Sequence, residues 1–252
     1  MNNLKIGLVI GTYSAVPYIH LHLESRKRNY PEIPILVHDD CSHNKQKLIE
    51  LCKEYGADFV STTQRSVPTL GDISAFVRGL EWANKQGFDV LVKMSRRFVP
   101  KSGWTAELIN LVQTGHHTFS NVTRSFNFGF RTECIGMKVK DWLQDIAINN
   151  LTKTLNNNVE VFVEGHIHNI ARELNKLNKK AQSWDIVNNR PPEANAFAIW
   201  SFMGDDRCVQ YPGFLWHDSH LPGDYYDLAN QWNFTYAVED FNDPNEGDSN
   251  GR

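Results

Sequence analysis

Strand and helix patterns alternate four times in about the first hundred residues, and this order constrains the fold more than any other feature. The near-continuous apolar runs "KIGLVI", "PILVHD" and "FDVLVKM" are typical of strands that are buried on both faces, and "ADFVST" is a shorter strand. Segments with helical spacing of apolar residues follow the first three strands. Such alternation is typical of a parallel sheet with crossover helices. The sequence therefore predicts an α/β fold with a mostly parallel central sheet flanked by helices.

The predicted helices in this part of the chain occupy residues 17–29, 43–56 and 73–87. Asp72 is expected to cap the third helix at its N-terminus and Gly87 to end it, because these residue types suit those positions. Beyond residue 104 the pattern changes. A helix near "WTAELINLVQTG" leads to a stretch that alternates like antiparallel strands, and "VEVFVEGHIHNIAREL" predicts a strand that runs into a helix.

Composition disfavours several classes of partner. A formal net charge of -3 gives no general reason to expect nucleic acid or a membrane as partner. No apolar run approaches the length of a transmembrane helix, and the N-terminus lacks the pattern of a signal peptide. The cysteines are scattered without a C-x-x-C pair, which argues against a zinc site or a disulfide framework and predicts a cytoplasmic location.

The strand within "FDVLVKMSRRFVP" ends in three cations, Lys93, Arg96 and Arg97. In open α/β sheets ligands bind at the carboxyl edge, so the cluster is either a site or a solvated turn. No G-x-G-x-x-G follows the first strand, and no G-x-x-x-x-G-K-[ST] occurs in the chain. The usual dinucleotide site and P-loop chemistry are therefore disfavoured.

Four blocks, taken in order, resemble glycosyltransferase family 2, the large inverting family of GT-A enzymes. They are "IGLVIGTYSAVPYIHLHLESRKR", "PILVHDDCS", "GDISAFVRGLEWANKQGFDVLV" and the apolar-Pro pair at 99–100. The family has a strand and a turn, a second strand ending in Asp-Asp-Gly-Ser or similar, a Gly-x-x-x-Ala helix start, and a strand ending in Asp-x-Asp before a Pro. The resemblance covers residues 4 to about 100. It implies a GT-A fold, the Rossmann-like fold of nucleotide-diphospho-sugar transferases.

The resemblance also implies a domain organisation. Residues 1–240 are expected to form one glycosyltransferase domain, with a nucleotide-sugar-binding half in 1–103 and an acceptor-binding half in 104–240. A chain of 252 residues is long for one compact domain and short for two, which agrees with this division. Residues 241–252 have the polar composition of a disordered tail.

Asp39 and Asp40 stand where the family's paired carboxylates bind the base and ribose. A carboxylate at the end of a strand can accept hydrogen bonds from ribose hydroxyls or from a uracil N–H. The favoured sugar-donor substrate is a UDP-sugar. Thr12 and Tyr13 are expected beside the base, with Tyr13 placed to stack on it. Without the flanking match, an Asp-rich turn explains the two aspartates equally well.

In the resemblance, the sequence Lys-Met-Ser-Arg-Arg replaces the Asp-x-Asp motif. Lys93 and Ser95 stand where two carboxylates would hold a divalent cation, and Arg96 where a third acid often occurs. Fixed Lys and Arg side chains can supply the charge that a cation brings to a diphosphate. We therefore expect that the reaction requires no metal cofactor, although the sequence does not exclude a bound divalent cation. The expected diphosphate ligands are Lys93, Ser95, Arg96, Arg97 and His217. An inactive enzyme or a solvated turn is the alternative.

An inverting displacement needs a general base for the acceptor hydroxyl. Glu164 is the first candidate because it lies where the family carries a Glu-Asp motif, although Gly165 replaces the second acid. The rival bases are Asp205, Asp206 and Glu133. Trp200 and Trp216 belong to an aromatic stretch that either stacks on an acceptor sugar or packs under a lid.

The sequence thus predicts a glycosyltransferase that moves a sugar from a nucleotide-diphosphate sugar to a hydroxyl of a glycan acceptor, with inversion and without metal. One alternative is a catalytically silent GT-A domain that binds nucleotide or glycan within a larger glycan-assembly system. A sugar nucleotidyltransferase would need a Gly-rich phosphate loop, which "GTYSAVPY" lacks. The most distant alternative is a metallohydrolase built on two histidine pairs, His166 with His168 and His217 with His220.

Overall fold

The computed structural model describes residues 4–99, 105, 109, 112, 118–120, 132, 134–158, 160–176, 198–199 and 222–242. Within this part of the chain, one seven-stranded sheet carries helices on both faces. The strands are β1 (Ile6–Thr12), β2 (Ile35–Asp39), β3 (Asp58–Ser61), β4 (Val90–Ser95), β5 (Thr118–Ser120), β6 (Cys134–Lys138) and β7 (Ala198–Ile199). The helices are α1 (Val16–Asn29), α2 (Lys45–Glu54), α3 (Pro68–Gln86), α4 (Val139–Trp142), α5 (Asp145–Asn157), α6 (Val163–Lys176) and α7 (Pro222–Gln231), followed by a 3₁₀ turn (Val238–Phe241).

The strand order is β3-β2-β1-β4-β6-β5-β7. β1 pairs in parallel with β2 and β4, and β2 pairs in parallel with β3. β6 runs antiparallel to β4 and β5, and β5 runs parallel to β7. The predicted α/β fold with a mostly parallel sheet is therefore confirmed. After β3 the chain returns to the other side of β1 to form β4, so a topological switch point lies between β1 and β4.

The side chains of β4 alternate between the two helical layers. Val92 and Met94 pack in the cluster that includes α1 and α2, whereas Leu91 packs in the cluster of α3, α5 and α6. Because successive strand residues point to opposite faces, Lys93 points to the same face as Leu91, beneath α3. Burial on both faces explains why β4 reads as a continuous apolar run.

The third helix begins earlier than predicted. α3 starts at Pro68, in the first turn, where the fixed φ and the missing N–H of proline are tolerated. The prediction that Asp72 caps this helix is wrong, since Asp72 lies inside α3. Gly87 does end the helix, with a φ of 70° in the left-handed region that glycine adopts readily.

The strand predicted before Glu164 is wrong in the described residues. Residues 160–162 have no regular structure, and α6 begins at Val163. Val161 and Val163 pack into the core beneath α6, while Phe162 between them is 63% exposed. The apolar alternation therefore reflects how the chain docks as it enters the helix. Glu164 lies in the first turn of α6, where a helix start was expected.

The first residue of the predicted tail, Phe241, is buried against α1. The hydroxyl of Tyr18 donates a hydrogen bond to the Phe241 carbonyl oxygen at 2.6 Å, and the two rings pack edge to face. Tyr225 of α7 belongs to the same apolar cluster. The tail boundary predicted at residue 241 is thus too early, and residues 243–252 lie outside the described part of the chain.

Candidate functional site

A small cleft opens at the carboxyl ends of β1, β2 and β4, beside the switch point of the sheet. Its volume is about 110 Å³. The described residues that line it are Gly11, Thr12, Tyr13, Asp40, Arg65, Gly71, Asp72 and Arg96. Ligand pockets usually have volumes of roughly 300–1,000 Å³, so the cleft formed by the described residues is smaller than a typical ligand pocket. The position is nevertheless the edge where open α/β sheets bind ligands.

Asp39 does not line this cleft, because its carboxylate is fully buried and bonded to the protein. It accepts hydrogen bonds from the backbone N–H of Ser42 at 3.0 Å, from the Ser42 hydroxyl, and from the Ser61 hydroxyl at 2.8 Å. The Ser42 hydroxyl oxygen in turn accepts the backbone N–H of Ser14 at 2.6 Å. Asp39 therefore ties the loops after β1 and β2 together, and the expectation that both aspartates face a nucleotide does not fit this geometry.

Asp40 is the aspartate that reaches the cleft. Its Oδ1 accepts hydrogen bonds from the Thr62 hydroxyl at 3.1 Å and from the Ser66 N–H at 3.2 Å. Burial raises the pKa of the Asp40 carboxyl, while these donors and the nearby Arg65 act in the opposite direction. A Cβ on Gly71 would lie 2.7 Å from Asp40 Oδ2, so only glycine lets α3 approach this carboxylate so closely.

The turns that follow β1 and β2 both use left-handed backbone. Ser14 has a φ of 51° and Cys41 a φ of 59°. In the Asp-Asp-Gly-Ser block of the family that the sequence resembles, a glycine stands at the position of Cys41. Glycine adopts this left-handed conformation readily, whereas cysteine does not. The two turns bring Tyr13 and Asp40 to the same cleft.

Thr12 and Tyr13 line the cleft, and the Tyr13 ring is already covered. The Arg65 guanidinium carbon lies 3.8 Å from the ring centroid, in the geometry of a cation–π contact. Arg65 comes from the loop between β3 and α3, and the sequence reasoning missed it. Its only signal was a single cation in the polar turn "TTQRSV", which no periodicity distinguishes from a solvated loop.

Lys93 lies inside the protein rather than in the cleft. Its side chain is 1% exposed and forms an ion pair with Asp72 of α3. Its Nζ also donates to the Thr132 carbonyl oxygen at 3.1 Å and lies 5.0 Å from the centroid of the Phe76 ring. The prediction that Lys93 binds a diphosphate is therefore not supported by its placement, because strand alternation directs it beneath α3.

Of the described residues expected to hold a diphosphate, Arg96 lines the cleft, whereas Lys93, Ser95 and Arg97 do not. The Nε2–H of His22 donates to the carbonyl oxygens of Ser95 and Arg96, at 3.2 and 3.0 Å. Burial lowers the pKa of His22 to about 4, so the ring is neutral near pH 7. The Tyr225 hydroxyl donates to the Arg97 carbonyl oxygen at 2.7 Å. These bonds hold the backbone that carries Arg96.

Asp72 was assigned only to a helix cap, yet it lines the cleft while pairing with Lys93. Glu164 is not among the residues that line the cleft, but it is linked to this pair. The Thr132 hydroxyl donates to Glu164 Oε1 at 3.4 Å, and the Thr132 carbonyl oxygen accepts from Lys93. No group of three potential metal-ligating side chains occurs within the described ranges.

Several predicted site residues lie outside the described part of the chain: Asp205, Asp206, His217, Trp200 and Trp216, with Glu133 and His220. The His168 side chain is also outside it. His166 is bonded through Nε2 to the Thr154 hydroxyl at 3.0 Å. Within the part that the structure covers, no helix is long and apolar enough to span a membrane.

No protein-family model matches the chain, and no curated protein matches its sequence. Solved structures match it at low identity. A cytidylyltransferase from Leptospira borgpetersenii has a TM-score of 0.47 and 12% identity, over 92% of this chain and 96% of the other. A mannosyltransferase from Pyrobaculum calidifontis, solved with GDP-Man and Mn²⁺, has a TM-score of 0.42 and 15% identity, over 55% of this chain. This chain spans 45% of that enzyme's length.

The galactosyltransferase LgtC, solved with donor and acceptor sugar analogues, has a TM-score of 0.45 and 8% identity, over 64% of this chain and 69% of the other. Two of these three structures are thus sugar transferases and one is a nucleotidyltransferase. At these TM-scores and identities, the likeness does not assign an activity to this chain.

Proposed function

We propose that the chain is a GT-A glycosyltransferase, with one domain over residues 1–242, that transfers a sugar from a UDP-sugar to a hydroxyl of a glycan acceptor. One observation carries this proposal. The cleft at the switch point collects the ends of the blocks that resemble the family: Thr12 and Tyr13, Asp40, and Arg96. Chain segments that are distant in sequence meet there at the edge where open α/β sheets bind ligands, which supports nucleotide binding.

The polar groups of the cleft suit a nucleoside diphosphate. The Asp40 carboxylate can accept a uracil N–H or a ribose hydroxyl, and the Tyr13 ring offers a face for the base once Arg65 moves aside. The guanidinium groups of Arg65 and Arg96 can each form two parallel hydrogen bonds to phosphate. The Thr12 hydroxyl, on a residue that lines the cleft, has no hydrogen-bond partner within the described residues, which supports a polar ligand at this edge.

The residues present do not fit a divalent cation at the place of the family's Asp-x-Asp motif. Lys93 holds an ammonium there, and its ion pair already neutralises the cleft's Asp72. A cation beside that ammonium would meet like charge, and the Asp40 oxygens already accept protein hydrogen bonds. We therefore assign the neutralisation of the leaving diphosphate to Arg65 and Arg96, and no metal takes part in the proposed reaction.

The proposed step is an inverting displacement. The acceptor oxygen attacks the anomeric carbon, the bond from that carbon to the β-phosphate oxygen breaks, and its electron pair leaves on the diphosphate. The acceptor proton passes to Glu164, which acts as general base. The two arginines stabilise the charge that grows on the diphosphate. Glu164 is assigned this role because it lies in the first turn of α6 and is hydrogen-bonded to Thr132, whose carbonyl oxygen accepts a hydrogen bond from Lys93 behind the cleft.

A ligand screen by thermal unfolding tests the binding part of the proposal. UDP, GDP and CDP and their sugar conjugates would be compared, each with and without EDTA. We expect UDP compounds to raise the unfolding midpoint most and EDTA to leave that shift unchanged, because a ligand of the native state stabilises it by mass action. Stabilisation that requires added Mn²⁺ contradicts the metal-independent site.

Turnover is tested with the variant Glu164→Gln, which keeps the size and polarity of the side chain but cannot accept a proton. We expect transfer to fall by about a hundredfold or more while UDP binding persists. Unchanged transfer would remove Glu164 from the mechanism and leave Asp205 or Asp206 as the base. Nucleotide binding without turnover in the unaltered protein would favour the catalytically silent domain. Incorporation of labelled pyrophosphate into a nucleoside triphosphate would favour a nucleotidyltransferase.

A further inference from the structure

A line of polar contacts crosses the protein from the cleft to Glu164. Asp72, which lines the cleft, forms an ion pair with the Lys93 ammonium. Lys93 Nζ donates to the Thr132 carbonyl oxygen at 3.1 Å, and the Thr132 hydroxyl donates to Glu164 Oε1 at 3.4 Å. The four residues belong to different segments: α3, β4, the chain just before β6, and the first turn of α6. The contacts therefore depend on how these segments pack.

The middle of this line is shielded from water. Lys93 is 1% exposed and Thr132 is 7% exposed, whereas Asp72 keeps 26% of its side chain exposed. A buried ammonium is tolerated only when its donors are satisfied by acceptors that stay in place. Lys93 consequently holds both Asp72 and the Thr132 carbonyl in a narrow range of positions. The same residue that fixes one wall of the cleft also fixes the segment carrying the Thr132 hydroxyl.

The contact between Thr132 and Glu164 is the weakest link, since hydroxyl hydrogen bonds to oxygen are usually 2.5–3.0 Å long. Catalytic hydrogen bonds are often long in ligand-free proteins and tighten when substrate binds. The hydroxyl has one proton to give, and it points that proton at an oxygen of the proposed base. In the proposed reaction, the other oxygen of this carboxylate takes the proton of the acceptor hydroxyl.

We propose that Thr132 is a positioning residue for Glu164, held in place by the buried Lys93–Asp72 ion pair. This inference rests on the proposed function, because it concerns the base of that reaction. Thr132 orients the carboxylate and does not touch the substrate. Its contribution therefore lies in the turnover rate and depends on the presence of a carboxylate at position 164.

The experiment compares Thr132→Val and Thr132→Ser, each made in the unaltered protein and in a Glu164→Gln background. Valine keeps the shape of threonine and removes the hydroxyl, whereas serine restores it. We expect Thr132→Val to lower kcat by about ten- to a hundredfold with the donor KM and UDP binding unchanged. Thr132→Ser should recover most of the rate. In the Glu164→Gln background, Thr132→Val should cause no further loss.

Thr154→Val is the matched control. The Thr154 hydroxyl donates to the Asn150 carbonyl oxygen and contacts His166 of α6, so its loss tests for a general effect on the docking of that helix. We expect its kcat to equal that of the unaltered protein. Should Thr132→Val fail to fold, Thr132→Ala removes the same hydroxyl from this buried position with less bulk, and circular dichroism with UDP binding verifies that the variant is native.

Three results would overturn the inference in distinguishable ways. If Thr132→Val slows transfer equally in both backgrounds, or if serine fails to restore the rate, Thr132 does not act through Glu164 while the proposed function stands. If Glu164→Gln transfers sugar normally, both the base assignment and the positioning role are wrong. If the unaltered protein binds UDP-sugars but transfers nothing to any acceptor, the proposed function fails and this inference fails with it.

Discussion

The ends of β2 and β4 lie on either side of β1, and each carries charged residues that the sequence assigned to a ligand: Asp39 and Asp40 at β2, and Lys93, Arg96 and Arg97 at β4. At β2, Asp39 within the strand is buried, and Asp40 just after it lines the cleft. At β4, Lys93 within the strand is buried, and Arg96 just after it lines the cleft. At both ends the charge within the strand is buried and the first charge past the strand lines the cleft, whereas Arg97, one residue further on, does not.

The division follows from the layers that cover the sheet. A side chain within a strand points into one of the two helical layers, where a charge must find a fixed partner. Asp39 finds the hydroxyls of Ser42 and Ser61, and Lys93 finds Asp72. A residue just past the strand has left the layers, so its side chain can turn into the open edge of the sheet.

Acidification is expected to have the largest effect, because each strand end is backed by a neutral buried histidine. His38 lies in β2 and is hydrogen-bonded to the Ser74 hydroxyl, and His22 is hydrogen-bonded to the Arg96 carbonyl oxygen in the turn after β4. Burial lowers both pKa values from 6.5 to about 4. Below pH 6.5 the histidines of the unfolded chain bind protons, whereas the buried rings of the folded protein stay neutral. The contribution of these rings to the free energy of unfolding is therefore complete above pH 6.5 and is lost as the pH falls toward 4.

The loss is on the order of 3 kcal/mol for each histidine across that window. Urea unfolding at a series of pH values measures it, and His22→Gln, which retains a side-chain N–H, should flatten the pH dependence by about half. A curve that is flat between pH 7 and 4.5 would mean that these rings take up protons in the folded protein over the same pH range as in the unfolded chain.

Lys93→Met tests the buried charge at β4. Methionine fills a similar space but leaves Asp72 without its ion-pair partner, so we expect the free energy of unfolding to fall by about 3 kcal/mol. The value is at the low end for a broken buried pair, because Asp72 keeps 26% exposure. Arg96→Gln is the counterpart: its stability should change by less than about 1 kcal/mol, while affinity for UDP falls and affinity for uridine does not.

Asp39→Ala and Asp40→Ala make the same comparison at β2. Removal of Asp39 frees two hydroxyls and a backbone N–H, and we expect unfolding free energy to fall by about 2 kcal/mol. Removal of Asp40 should instead weaken uridine and UDP binding by at least about 1 kcal/mol. Calorimetric titration and urea unfolding of both variants separate the roles. Equal losses of nucleotide affinity in the two variants would show that the buried aspartate also serves the ligand.

Cys41→Gly should give the smallest effect, and in the stabilising direction. The φ of 59° costs a non-glycine residue about 1–2 kcal/mol, and glycine adds about 0.5–1 kcal/mol of chain entropy to the unfolded state. The expected gain is about 0.5–1 kcal/mol, measured by urea unfolding. Gly87→Ala, at a φ of 70°, is the reverse control and should lose a similar amount. A loss of stability in Cys41→Gly would indicate that the Cys41 side chain makes a contact worth more than its strain.

Local patterns in the sequence determined the alternation of β1 to β4 with their helices, because burial on both faces of a parallel sheet leaves continuous apolar runs that need no knowledge of the partners. They also predicted that polar residues gather where β1, β2 and β4 end, and Thr12, Tyr13, Asp40 and Arg96 do meet there. The helix start at Pro68 was missed, because Asp72 is a residue type that often caps helices. In the structure Asp72 lies inside α3 and forms an ion pair with Lys93.

Only the tertiary structure decided which charged side chains face the cleft and which are buried and paired inside the protein. The Lys93–Asp72 pair joins β4 to α3, and Arg65 reaches Tyr13 from a loop with no periodic pattern. A sequence shows that a charge is present, but the cost of burying it is set by whichever segment packs against it. That partner is a property of the assembled layers, and it turned a predicted phosphate ligand, Lys93, into an internal ion pair.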